Sequence, residues 1–357
     1  VYPKNTLSGV DKQVTDKPAP GSGQNITYTI TTSIPKVDYP GGARIKRYEV
    51  VDQLDKRINK STLAPVVKIV SGQQETVLAD TTDYTLITAE GTKHNWATIQ
   101  LTDEGRRKAA EARHNGNGET KVQVTLTATF DPKSVDLEGV LSNTAGLIPN
   151  DSPNFTWDPN NPGTTTDVPG IPTTPVLSKY GKVNLTKTGT DKLDDKTKYN
   201  GAQFQVYECT KTASGATLRD SDPSTQTVDP LTIGGEKTFT TAGQGTVTIN
   251  SLRANDYVDG VKKDALTDED YYCLVETKAP EGYTLQPDPI PFRVLATDAE
   301  AKVPTEVTVT DVPKNAGFRL PLTGANGVIF LTVAGALLVV GGAVIAYANK
   351  RRHAAKH

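Results

Sequence analysis

The chain has 357 residues, and its 39 basic and 41 acidic residues nearly cancel to a formal net charge of −2. This balance argues against a nucleic-acid-binding surface and against an acidic disordered tail. Hydrophobic residues make up 36% of the chain, with 7 Phe and 2 Trp, which is typical of thin β-sandwiches rather than of a large enzyme core.

The chain begins with Val1-Tyr2-Pro3-Lys4-Asn5 and contains no methionine, so we expect the natural start to lie upstream. Pro3 fixes its own φ and removes a backbone donor, which favours an extended, accessible position for Lys4. We take residues 1–5 as the end of a preceding domain.

Residues 6–150 predict a β-sandwich with one helix. The helix spans Asp103–Arg113, with Thr102 as its N-cap and the Asn115–Gly118 segment ending it. Alternating hydrophobic runs predict strands at Asn25–Thr31, Arg47–Val51, Tyr84–Thr88, Trp96–Leu101 and Thr120–Phe130.

Three polar residues of this sandwich, Lys12, Asp52 and Asn143, share the apolar faces of their strands. Because successive side chains of a strand point to opposite faces, alternation buries all three. Asp55 is the alternative to Asp52 as the acid of this group, and Asn150 is a weak alternative to Asn143 as its amide. The apolar residues on the same faces are Val10, Val14, Tyr48, Val50, Leu54, Leu141, Ala145 and Leu147.

Residues 151–177 are rich in Pro, Asp, Asn and Gly, which predicts an extended, fairly stiff connector. Residues 178–315 predict a second β-sandwich. Its strands are expected near Lys182–Thr188, Ala202–Cys209, Thr246–Ile249, Asp270–Glu276, Pro291–Leu295 and Glu306–Asp311.

The same alternation predicts that the side chains of Lys187, Glu276 and Asp311 all point into one apolar core. Burial favours a neutral amine, which is a nucleophile, and protonated carboxyl groups. The alternative for these residues is a buried salt bridge.

Cys209 and Cys273 are the only cysteines, and they lack a metal-binding spacing. Alternation predicts that both face outward, joined by a short surface link. They lie 64 positions apart, so a disulfide between them is worth about 4 kcal/mol in the chain-entropy model.

The C-terminal region combines three signals in order. Residues 328–348 form an uncharged run, and a helix of that length crosses roughly 30 Å of hydrocarbon. Residues 349–357 are basic, which places them in the cytoplasm. The region ahead of the span, 316–327, contains Leu320, Pro321, Leu322, Thr323 and Gly324.

This order of pentapeptide, span and basic stop resembles the cell-wall sorting signal of Gram-positive surface proteins. The resemblance implies that a sortase cysteine attacks the Thr323 carbonyl and expels Gly324. Residues 1–5 resemble the second half of the pilin motif, which makes Lys4 the amine that resolves the intermediate. The upstream half of that motif, with its tryptophan, is not in this chain.

The two sandwiches resemble the middle domain of fimbrial shaft proteins and the B-type domain of collagen adhesins, the latter through Tyr272–Tyr283 (YCLVETKAPEGY). The resemblance implies immunoglobulin-like folds with self-formed isopeptide bonds. Asp52 would assist Lys12 and Asn143 with loss of ammonia, and Glu276 would assist Lys187 and Asp311 with loss of water. Most pilin relatives carry Asn at the position of Asp311.

The resemblance as a whole implies an all-β shaft subunit of a covalent pilus on the cell wall. The implied partners are pilus-class and housekeeping sortases, identical subunits, tip and base minor pilins and peptidoglycan. The membrane is a partner only before sorting, and we expect no nucleic acid, cofactor or metal. A monomeric wall-anchored adhesin is the alternative. An enzyme is disfavoured because His94 and His114 lie near no nucleophile or ligand motif.

Overall fold

The computed structural model describes residues 9–16, 25–41, 44–116, 120–129, 139–149, 157–219 and 228–314. Lys4, the pentapeptide at 320–324, the predicted membrane helix at 328–348 and the basic tail lie outside these ranges. Within them, no helix is both long enough and apolar enough to span a bilayer.

The first half of the described chain forms a sandwich of two antiparallel sheets, in which β1-β2-β8-β4-β5 faces β9-β3-β7-β6. Helix α1 (Asp103–Asn115) follows β7. The strands are β1 (Val10–Thr15), β2 (Asn25–Ser33), β3 (Glu49–Asp55), β4 (Ala64–Ser71), β5 (Gln74–Val77), β6 (Tyr84–Glu90), β7 (His94–Leu101), β8 (Lys121–Thr129), β9 (Gly139–Ile148) and β10 (Ile171–Pro172).

The second half forms a smaller sandwich, in which β13-β12-β18-β19 faces β15-β11-β20 and α2 (Ala296–Ala301) precedes the last strand. Its strands are β11 (Val176–Gly189), β12 (Gln203–Thr212), β13 (Gly215–Leu218), β14 (Phe239–Thr240), β15 (Thr246–Arg253), β16 (Tyr257–Val258), β17 (Val261–Lys262), β18 (Tyr271–Lys278), β19 (Ile290–Phe292) and β20 (Thr305–Asp311).

Strand β11 belongs to both sandwiches. Its first residues pair antiparallel with β9, from Val176 opposite Asn143 to Tyr180 opposite Gly139. Its remaining residues pair with β15 and, in parallel, with β20. One strand of 14 residues therefore joins the two halves without a break in the sheet.

The described part of the predicted connector, residues 157–177, packs against the outer face of β3, β7 and β9. Trp157 packs against Trp96 with ring centroids 5.1 Å apart and the ring planes tilted by 54°. The Gln53 side-chain amide donates to the Thr166 carbonyl at 2.5 Å. This packing buries both faces of β3, a role that the composition of the connector did not indicate.

Most predicted elements appear within a few residues of their expected ends. Helix α1 follows Thr102, whose hydroxyl accepts a hydrogen bond from the Gly105 N–H at 3.2 Å. The strand expected at Pro291–Leu295 is shorter in the structure, Ile290–Phe292, and α2 begins directly after Leu295.

A second link between the halves joins the end of β1 to the β16–β17 hairpin. The Asp16 N–H donates to Asp259 Oδ1 at 3.0 Å, and the Asp259 N–H donates to Asp16 Oδ1 at 2.9 Å. Asp259 and Gly260 form the two-residue turn of the hairpin, with φ of 51° and 78°. Asp-Gly is a favoured pair for such a turn.

We expect Asp259→Gly to lower the free energy of unfolding by about 1 kcal/mol, because the Asp16 N–H loses its acceptor. Glycine accommodates the positive φ, so the loss does not come from backbone strain. Asp259→Asn keeps the acceptor oxygen and is the matched control. Urea unfolding of the two variants would contradict the link if their free energies of unfolding were equal.

Candidate functional site

The first candidate site lies between the two sheets of the first sandwich. Lys12 extends from β1, while Asp52 and Asn143 lie on β3 and β9 of the facing sheet. Lys12 Nζ is 2.5 Å from Asp52 Oδ1, and their side chains are 0% and 1% exposed. The Tyr28 ring lies beside the amine, with its centroid 4.7 Å from Nζ.

Burial shifts both charged groups of this pair toward neutrality. Desolvation lowers the pKa of Lys12, although the attraction of Asp52 opposes that shift. Desolvation raises the pKa of Asp52, and Lys12 and Asn143 oppose it. A lysine is a nucleophile only as the neutral amine, which is the form that this burial favours.

Asn143 is buried beside this pair and is 1% exposed. Its carboxamide is close enough to Asp52 to lower the pKa of that carboxyl, yet neither amide atom makes an aligned hydrogen bond within the described residues. Leaving a buried amide unpaired costs about 1–3 kcal/mol, so its position needs a reason other than stability.

The rival residue Asp55 lies outside this cluster. Arg57 Nη2 is 2.7 Å from Asp55 Oδ2, and the carboxyl is partly exposed. Burial acts to raise the pKa of Asp55, but the hydrogen bonds from Arg57 outweigh it and lower the pKa. The structure therefore brings Asp52, and not Asp55, to Lys12. Asn150 lies outside the described residues.

The second candidate site lies inside the second sandwich. Lys187 and Asp311 are on the neighbouring parallel strands β11 and β20, and Glu276 reaches them from β18 of the facing sheet. Lys187 Nζ is 2.9 Å from Glu276 Oε1 and contacts Asp311 Oδ1. All three side chains are 0% exposed.

The two carboxyl groups of this site have different surroundings. Desolvation raises the pKa of Glu276, and the Gln286 N–H, which donates to Glu276 Oε2 at 2.8 Å, is the largest opposing influence. Asp311 Oδ2 is buried without a hydrogen-bond partner among the described residues. One carboxyl is thus held by the backbone, whereas the other depends on Lys187.

Cys209 and Cys273 form a disulfide between β12 and β18. The strand register places them on one face, opposite the face of Phe204 and Leu274, as alternation predicted. The expectation of a link at the surface is wrong, because both cysteines are fully buried. Larger side chains occupy this face, including Tyr271 opposite Cys209.

Two family profiles match the second sandwich and the C-terminal region that follows it. The profile for an "LPXTG cell wall anchor motif" matches residues 312–355, and that for a "Prealbumin-like fold domain" matches residues 181–312. The chain is also 87% identical over 357 residues to fimbrial subunit type 1 of Actinomyces viscosus, covering 100% of this chain and 67% of that protein. The chain belongs to the Gram-positive fimbrial subunits.

Other fimbrial subunits agree with this assignment. Fimbrial subunit type 2 of Actinomyces naeslundii is 32% identical over 99% of this chain and 62% of its own length. The chain thus spans about two thirds of the curated relatives it matches. The solved fimbrial protein FimP from Actinomyces oris has a TM-score of 0.80 and 86% identity, covering 88% of this chain and 70% of that one.

The major pilin SpaD of Corynebacterium diphtheriae, at a TM-score of 0.60 and 24% identity, shares the fold. The all-β architecture and the placement on a cell-surface pilus attached to the cell wall follow from these matches. As a fimbrial subunit, the chain is a structural component of that pilus.

Two groups at the sites were not anticipated from the sequence. Gln286 contributes a backbone N–H, which leaves no side-chain signal in a sequence. Tyr28 lies on the buried face of β2 with Ile26 and Ile30, so alternation in that strand would have indicated its position.

Lys187→Ala is expected to destabilise the second sandwich by about 3–5 kcal/mol, because the buried carboxyl groups of Glu276 and Asp311 lose the amine that faces them both. Urea unfolding and protease resistance measure the loss. The control is Lys237→Ala, since Lys237 is exposed and should be silent. A Lys187→Ala chain that unfolds at the wild-type urea concentration would contradict this view of the site.

Proposed function

We propose that this fimbrial subunit is the repeating shaft unit of a covalent pilus whose two sandwiches, over residues 6–150 and 178–315, are each closed by a self-formed isopeptide bond. The observation that carries the proposal is the enclosure of Lys187 Nζ, fully buried, between Glu276 and Asp311. The first cluster supports it with the same set of a lysine, an acid and an acceptor. There the lysine faces the sheet that carries the other two, whereas in the second cluster the acid Glu276 does.

In the first sandwich, the neutral Lys12 amine attacks the Asn143 side-chain carbonyl. Asp52 transfers a proton from the attacking nitrogen to the leaving one, so that ammonia departs and Asp52 recovers its original state. The short contact between Lys12 and Asp52 supports this assignment of the proton carrier.

In the second sandwich, the Lys187 amine attacks the Asp311 carboxyl carbon and water departs. The reaction replaces two buried ionisable groups with one neutral amide. It therefore removes the desolvation cost of an amine and an acid in an apolar core.

The positions of the four bonded residues suit a fibre under tension. Lys12 and Asn143 lie on β1 and β9, near the two ends of the sequence that forms the first sandwich. Lys187 and Asp311 lie in the same way on β11 and β20 of the second. Force entering at Thr323 would pass from Asp311 to Lys187, along β11 and on toward β9. The residues between Lys12 and Asn143, and those between Lys187 and Asp311, would then carry little of that force.

Between subunits, a pilus-class sortase would join Thr323 of one chain to Lys4 of the next. The match to the cell-wall anchor profile supports Thr323 as the acyl donor. A housekeeping sortase would attach the finished fibre to peptidoglycan, and minor pilins would occupy its tip and base. The membrane span would hold the substrate beside the enzyme before sorting.

We expect Asn143→Ala to abolish the mass deficit of one ammonia in the first sandwich while leaving the deficit of one water in the second. Asn143→Asp should restore a bond with loss of water. Intact-mass measurement of both variants against the wild-type chain decides the assignment. An ammonia deficit that persists in Asn143→Ala would move the acceptor elsewhere.

Lys4→Arg is expected to abolish the ladder of high-mass species in cell-wall extracts, since a guanidinium group is a poor nucleophile at neutral pH. The exposed Lys36 provides the control variant Lys36→Arg, which should leave the ladder unchanged. A ladder that survives Lys4→Arg would indicate another acceptor lysine. A wild-type chain that yields only anchored monomers would favour the adhesin alternative.

A further inference from the structure

We propose that the backbone N–H of Gln286 is a positioning group for the Lys187–Asp311 reaction, because it holds Glu276 with the proton of its carboxyl facing the reacting pair. This inference rests on the proposed isopeptide chemistry of the second sandwich. It adds a group that acts only through the main chain.

The two oxygens of Glu276 have different neighbours. Oε2 accepts a hydrogen bond from the Gln286 N–H at 2.8 Å, whereas Oε1 lies 2.9 Å from Lys187 Nζ. A backbone N–H can only donate, and the carbonyl oxygen of a protonated carboxyl is its better acceptor. When Glu276 is neutral, its proton is therefore placed on Oε1, beside Lys187 and Asp311.

The segment that carries Gln286 also holds the acceptor strand. The Thr284 N–H and hydroxyl donate to the Val312 carbonyl at 2.9 and 2.8 Å, and the Lys314 N–H donates to the Gly282 carbonyl at 2.8 Å. Val312 directly follows Asp311 in the chain. Residues 282–286 thus hold both Glu276, the proton donor, and the strand that carries Asp311, the electrophile. The movement of both groups is therefore restricted before any bond forms.

The proton placement completes a balanced reaction. The lone pair of the Lys187 amine attacks Cγ of the Asp311 carboxyl group, and the Oε1 proton of Glu276 passes to the departing hydroxyl, which leaves as water. The Glu276 carboxylate then takes a proton from the new amide nitrogen. One C–N bond forms, one C–O bond breaks, and Glu276 returns to its initial state without an outside reactant.

The same hydrogen bond opposes the effect of burial on Glu276. Desolvation raises the pKa of this carboxyl, and the Gln286 N–H lowers it by stabilising the carboxylate. Removing the N–H should therefore raise the pKa further. Neutral Glu276 is the reactive form, so bond formation has an alkaline limit, the pH above which Glu276 has lost its proton. Without the Gln286 N–H, this limit should move to higher pH.

The test compares Gln286→Pro, which lacks the N–H, with Gln286→Ala, which keeps it. Residue 286 already precedes Pro287, which favours an extended backbone that proline itself adopts. The full chain is made in a pulse by cell-free synthesis with detergent and chased over a range of pH. The fraction of the cross-linked peptide that contains Lys187 and Asp311 is measured by mass spectrometry.

We expect Gln286→Ala to form the bond at the wild-type rate. Gln286→Pro should be slower by at least about tenfold, because the proton donor is no longer held in place, and its alkaline limit should lie at higher pH. The Cys209–Cys273 disulfide and protease resistance report whether the variant has folded. Equal rates and equal pH profiles for the two variants would overturn the inference.

If Gln286→Pro does not fold, the wild-type chain provides the second measurement. The amide ¹⁵N shift of Gln286 should titrate with Glu276, and a shift that is independent of pH overturns the inference. A wild-type chain without any Lys187–Asp311 bond would instead refute the proposed function. The two failures are therefore distinguishable.

Discussion

The structure depends on the burial of two lysine side chains, each in an apolar core. An amine removed from water must be neutral or paired, and the same holds for the carboxyl groups that face it. Lys12 meets this constraint with one acid, Asp52, whereas Lys187 meets it with two, Glu276 and Asp311, within hydrogen-bonding distance. Each core therefore brings together the side chains that the proposed isopeptide bonds would join.

The two sites are connected through a single strand. Val176 at the start of β11 pairs with Asn143 of the first site, and Lys187 near its end belongs to the second. The reciprocal hydrogen bonds of Asp16 and Asp259 add a second connection on another part of the junction. The two halves are thus joined by main-chain pairing as well as by chain continuity.

Alternation along the strands predicted most of both sites, because a period of two assigns every residue of a strand to a face once a few core positions are known. This reasoning brought Lys187, Glu276 and Asp311 together although Asp311 lies far along the chain from Lys187. It failed where a face is covered by something other than the facing sheet. Cys209 and Cys273 lie on the predicted face yet are buried, and Trp157 covers β3 from a segment whose composition indicated only a connector. Gln286 escaped prediction because a main-chain donor has no residue signature.

The strand shared by the two sandwiches bears on how such subunits can exchange parts. A recombinant chain that takes its second sandwich from a relative receives β11 with it, so the incoming residues 176–180 must match the register of β9 in the host. A junction between β9 and Tyr180 would pair strands from two different parents. A mismatch between them would leave backbone groups of β9 unpaired at its edge, where strands of other chains can add. Viable crossovers should therefore fall outside residues 139–180, so that β9 and the first five residues of β11 come from one parent. Those five residues should covary with β9 rather than with the sandwich they lead into.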